Sequence, residues 1–151
     1  MIELDITMSL KMNLKCFPGM EALSQGKKIN ENEIYELLEY IDKRYDSADF
    51  RMIPIIRTIY AYSSLLSDFT LKRIEETVLG FKYWLDEPGE DGMCYWSENH
   101  QLIFSTIEYL AGQYYPDRIF TNNNMSGIGR MANSKHRLLN WLKNRYEFGF
   151  V

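Results

Sequence analysis

The sequence predicts an all-α fold of about five helices arranged as antiparallel hairpins. Apolar residues recur at three- and four-residue spacing in five successive segments. Proline, glycine and polar clusters end those segments. The connections are mostly short, which sets consecutive helices antiparallel.

Residues 1–29 read as an irregular N-terminal segment. Ile2, Leu4 and Ile6 alternate over a short strand-like stretch, and Pro18, Gly19 and Gly26 mark turns. A helical-hairpin domain occupies 30–151. Its first helix begins at Asn30, where Asn30 and Glu33 form a capping box. Ile34, Leu37, Leu38, Ile41 and Tyr45 make one apolar face. Glu31, Glu33, Glu36 and Glu39 crowd the early turns and Lys43 and Arg44 the end, which suits the helix dipole. The second helix starts near Asp49, with Pro54 in or near its first turn. Met52, Ile55, Ile56, Ile59 and Tyr60 make it mostly apolar, and Arg57 is the only charge past Pro54, so it is buried on more than one side. It ends around "SSLLSD".

The third helix spans 70–86, with Leu71, Ile74, Val78, Phe81 and Leu85 inward, and stops at "DEPGEDG". The fourth spans 98–114 and buries Ile103, Phe104, Ile107, Leu110, Ala111 and Tyr114. After the polar loop "DRIFTNNNMSGIG", a last helix fits 130–147 with Leu138, Leu139, Trp141, Leu142 and Tyr146 inward. Polar-faced helices alternate with apolar ones, as when outer helices cover inner ones.

The 151 residues are a one-domain length, and 46% apolar content supplies a core. A net charge of −4 gives no general reason to expect nucleic acid. Nothing approaches a membrane span, and "MIELDITMSLKMNLKC" lacks the basic start and long apolar core of a signal peptide. Cys16 and Cys94 are too few for a disulfide scaffold or a cysteine-rich metal site; they fit free thiols in a reducing, cytoplasmic setting, and equally a secreted protein with no disulfide. Aromatic residues reach 15% and crowd between Phe81 and Phe120, which suits either broad spacers between helices or a surface meeting a ligand. Residues 118–151 carry six Lys/Arg against one acid, Glu147, and the closing aromatic run "YEFGF" reads as an edge completed by self-association or by further helices of a longer chain.

Candidate chemistry gathers at 91–100. Ser97 is an N-cap for the fourth helix, with Glu98 and Asn99 in its first turn. The positive end of the helix favours an ionised Glu98. His100 shares the inward face with Ile103, Phe104, Ile107 and Ala111, and a neutral imidazole there can accept a proton. The Asn99 amide can donate to an oxygen where charge develops. Tyr95 and Trp96 offer the apolar face and polar edge that a sugar ring asks for. Asp91 is the nearest second carboxylate. Each has a plainer reading: capping for Glu98 and Asn99, a hydrogen-bonded core histidine for His100, a staple of the helix entry for the rings. His100 and His136 form no short-spaced metal motif, Cys94 and His100 make a weak nucleophile pair, and no glycine-rich phosphate loop occurs, so neither metal nor cofactor is expected. "SGIGR" (126–130) offers amides and Arg130 to an anion, or simply a helix entry.

Three blocks carry a family resemblance: "VLGFKYWLDEPGEDGMCYWSENHQLIF" (78–104), "EYLAGQYYPDRIF" (108–120) and "RLLNWLKNRYEFGF" (137–150). They resemble a group of poorly characterised bacterial proteins whose helices belong to an alpha/alpha toroid, the architecture of six-hairpin glycosidases and several polysaccharide lyases. The likeness covers about residues 30–150. It implies an arc of the toroid, since a closed one needs more helices than this chain has room for. It also implies a carbohydrate ligand and either elimination or hydrolysis. Under elimination, Asn99 neutralises a uronate carboxylate and His100 or Tyr95 is the base. Under hydrolysis, Glu98 and Asp91 are the carboxylate pair. Trp96, Arg130 and Arg137 would then bind an acidic chain. The rivals are a non-catalytic helical interaction module and a truncated domain with no independent activity.

Overall fold

The computed structural model describes residues 17–149 and is predominantly helical, with six packed helices. They are α1 (Met20–Ser24), α2 (Asn32–Asp42), α3 (Ala48–Tyr62), α4 (Asp68–Gly80), α5 (Glu98–Tyr114) and α6 (Gly127–Phe148). A 3-10 turn, Ser63–Leu65, follows α3. A two-residue hairpin, β1 (Ile119–Phe120) with β2 (Met125–Ser126), pairs antiparallel between α5 and α6. The expected alternation at Ile2, Leu4 and Ile6 lies outside the described residues.

Named contacts give the helix directions. Glu31 and Asp42, near the two ends of α2, meet Ser67 and Arg73, so α2 and α4 run parallel. Asp49 meets His100 and Tyr60 meets Leu110, so α3 and α5 run parallel. Gly127 meets Gly112, Arg137 meets Glu108 and Arg145 meets Glu98, so α6 runs antiparallel along α5. The core lies among Ile34, Leu38 and Ile41 of α2, Met52, Ile55 and Ile59 of α3, Ile74 and Val78 of α4, and Phe104, Ile107 and Ala111 of α5.

Several elements depart from the sequence reading for physical reasons. Residues 20–24 form a short helix where only turns were expected, and Leu23 anchors it in the core. The capping box at Asn30 does not close. The Asn30 carboxamide accepts from the Asn32 amide, and Glu33 accepts from the Gly19 amide at 2.5 Å. Glu31 instead reaches across to the start of α4, accepting from the Ser67 amide at 2.8 Å and from the Ser67 and Thr70 hydroxyls. Pro54 sits two turns inside α3 rather than at its entry, on the fully buried side.

The third expected helix, α4, stops at Gly80 instead of 86. Its last carbonyls are claimed by other partners: the Thr121 amide donates to the Leu79 carbonyl at 2.9 Å, and the Arg44 guanidinium donates to the Gly80 carbonyl at 3.2 Å. Phe81 then turns extended, so Phe81 and Tyr83 bury while Leu85 is left exposed. The last helix starts at Gly127, three residues before the expected start. The Ser126 hydroxyl accepts from the Gly129 amide, so "SGIGR" is a helix entry. Gly112 and Gly127 let α5 and α6 approach: a Cβ on Gly112 would lie 2.5 Å from the Gly127 carbonyl oxygen.

The inward face of α6 also differs. Arg130 and Ser134 are buried, whereas Leu139 and Leu142 are each 54% exposed and Tyr146 is 93% exposed. The face against α5 is the basic one, because α5 presents Glu98 and Glu108 to it.

Candidate functional site

The amino ends of α3 and α5 lie side by side. Ser97 occupies the N-cap position of α5, as expected, although its hydroxyl makes no cap hydrogen bond. His100, one turn in, turns toward α3. Its Nδ1 stands 2.7 Å from Oδ2 of Asp49, the second residue of α3. Asp49 is fully buried and the imidazole keeps 13% exposure. The ring meets Phe50 edge-on, with centroids 5.1 Å apart, and leans on Phe104. Burial raises the Asp49 carboxyl above its ordinary range, and His100 pulls it back down. With Asp49 ionised, Nδ1–H donates to it and Nε2 is left as the acceptor. Just before α5 Trp96 is 80% exposed, and Asn99 in its first turn is exposed.

The other sequence candidates go elsewhere. Asp91 ion-pairs with Lys82 at 2.5 Å, and its other oxygen accepts from the Met93 amide. Tyr95 is buried and stacks on Phe104 with centroids 4.6 Å apart. Burial, then the nearby Asp91 and Glu87 charges, hold its hydroxyl far above the ordinary phenol range. Glu98 faces Arg145 of α6 at 2.8 Å. Asp91 and Glu98 are thus each held by a different cation on a different element.

Arg130 is buried and Arg137 is half-buried. Arg130 donates to both oxygens of Glu87 and to Glu108, with its guanidinium over the Tyr83 and Phe120 rings. Arg137 pairs with Glu108, donates to the Ser105 hydroxyl at 3.3 Å and lies over Trp84. The chain of polar contacts continues from Glu87 through the Asn122 amide to Arg44, which also donates to the Pro88 carbonyl. These groups fasten α6, the hairpin and the 81–97 segment to one another.

Asp49, Glu87, Glu108, Arg44 and Lys82 escaped the sequence reading. Glu108 carried a signal, since it stands one turn from Phe104 and Ala111 on a buried stripe. Asp49 carried none, being indistinguishable from a first-turn acid.

One turn beyond the Asp49–His100 pair, a groove of about 450 Å³ opens along the α3/α5 seam. It is lined by Ile53, Ile56, Tyr60, Ile103, Ile107 and Leu110, with Arg57 at its margin. Among the described residues no cluster of three or more His, Cys, Asp or Glu side chains could hold a metal ion. No helix among them is long and apolar enough to cross a membrane. Compared with protein-family models, curated proteins and solved structures, the chain has no match in any of the three.

Proposed function

We propose that these helices are an arc of an alpha/alpha toroid and that the amino end of α5 is an elimination site for an acidic polysaccharide. The parallel pair α3 and α5, each followed by a more polar helix, supports the arc. The observation that carries the chemistry is the 2.7 Å contact between His100 Nδ1 and a fully buried Asp49, with Trp96 and Asn99 exposed at the same helix entry in sequence.

In this reading Trp96 stacks on a sugar face, and Asn99 donates to the uronate carboxylate to stabilise the charge that forms on it. Nε2 of His100 takes the proton on the carbon beside that carboxylate. The electron pair left behind forms a C=C bond as the glycosidic C–O bond breaks, and the leaving sugar oxygen becomes a hydroxyl by taking up the proton that Nε2 removed. Hydrolysis by two carboxylates fits less well, because Asp91 and Glu98 are each bound to a cation. Tyr95 fits less well as base, because its hydroxyl is buried among negative charge.

The test is ultraviolet absorbance of the unsaturated product from polyuronate chains. Wild type should produce it, His100→Gln and Asp49→Asn should not, and Trp96→Ala should raise KM. No product from wild type across acidic polysaccharides, with no quenching of tryptophan fluorescence by them, would overturn the proposal. The exposed apolar residues of α6 favour a second reading, a non-catalytic interaction module.

A further inference from the structure

We propose that two copies of this chain pair antiparallel through the outward line of α6. Ile128, Ala132, Lys135, Leu139, Leu142 and Tyr146 follow one another at alternating steps of four and three residues. That is the seam spacing of a coiled coil. All six are exposed, Leu139 and Leu142 at 54% and Tyr146 at 93%. The opposite line of α6 is already engaged, since Arg130, Arg137 and Arg145 meet Glu108 and Glu98 of α5. The seam therefore faces away from the body of its own chain.

This line matches itself, and only when reversed. With a two-fold axis between Leu139 and Leu142, each Leu139 meets Leu142 of the second copy. One step further out, Lys135 meets Tyr146 of the second copy, an ammonium against an aromatic ring. Glu147 follows that tyrosine in sequence, and its contact with Lys143 on its own helix is long, at 3.9 Å, so the incoming lysine adds a second cation to it. Lys143, on the flank of the seam, falls nearest Asn140 of the second copy. In a parallel pair Lys135 would instead face Lys135, like charge against like charge. A lone lysine in the seam thus sets the direction, as single polar seam residues do in coiled coils. The overlap from Ala132 to Phe148 runs for roughly 25 Å. The contact is isologous, so it closes at a dimer.

Sedimentation equilibrium and a spin-label distance test this together. The wild-type weight-average mass should climb with concentration from 17.9 kDa toward twice that value and stop there. Leu142→Glu should weaken the dimer about a hundred-fold or more, since a symmetric contact loses two leucines, with circular dichroism confirming the fold. Lys135→Leu, at an exposed position, should tighten association. Direction is read with a nitroxide on Asn133→Cys, an exposed position off the seam, in chains carrying Cys16→Ser and Cys94→Ser. The two labels should lie roughly 20 Å or more apart along the helix axis in the antiparallel pair, and level with each other in a parallel one. A wild type that stays monomeric at every concentration overturns the proposal and leaves the line to a different partner. So does a dimer that Leu142→Glu retains, because another surface would then be joined, and so do labels found level, which report a parallel pair.

Discussion

Arg130→Met tests whether the Arg130 cluster is an interior strut or a ligand site. The arginine side chain is 1% exposed and its guanidinium holds Glu87 through two hydrogen bonds and Glu108 through one. Methionine keeps much of the volume and removes the charge. Glu108 still has Arg137, but Glu87 is left buried with only the Asn122 amide. Breaking a buried pair from one side costs about 3–5 kcal/mol. The surviving amide bond offsets about 1 kcal/mol of that. The expected loss is therefore about 2–4 kcal/mol, a urea midpoint lower by roughly 1–2 M for the slope of a small domain. Urea titration followed by circular dichroism reads it. Glu87→Gln added to Arg130→Met should recover part of the loss, because the stranded charge is gone. A single variant within about 0.5 kcal/mol of wild type would refute the strut argument and return Arg130 to the candidate ligand residues.

Four further outcomes follow from the same packing. Gly112→Ala should lose about 1–3 kcal/mol by forcing α5 and α6 apart, read by thermal melting; an unchanged melting temperature would mean that the contact is slack. Burial raises Glu31, but hydrogen bonds from Ser67 and Thr70 and the charge of Lys28 outweigh it, so its folded value is lowered. Its stabilising contribution is present above the ordinary carboxylate range and lost as pH falls through the folded value, so Glu31→Gln should be less stable than wild type at neutral pH, with the gap closing in acid. His100→Ala removes the pull that opposes the burial of Asp49, whose folded value then rises further. Its deficit should be small near about pH 3 and grow toward neutrality, and a deficit independent of pH would disprove the pairing. Trp96→Ala should leave stability within about 0.5 kcal/mol of wild type, since the ring is 80% exposed.

The helices were legible where local pattern and tertiary demand coincide. Ile34, Leu37, Leu38 and Ile41 repeat on one face of α2 and all four are buried. The pattern misled where a distant partner decides. Leu85 continued the stripe of α4 in sequence, yet the hairpin and Arg44 take the carbonyls on which that helix would have continued. On α6, apolar periodicity chose Leu138, Leu139, Trp141, Leu142 and Tyr146 as the inward line; Leu138 and Trp141 are half-buried and the other three are exposed. The packed line is Arg130, Ser134 and Arg137, because Glu108 and the Tyr83 and Phe120 rings make a better environment for guanidinium groups than for leucines. The site shared that difficulty. Spacing along one helix put Glu98, Asn99 and His100 together, but direction separates them, and the orienting acid of His100 lies 51 residues away.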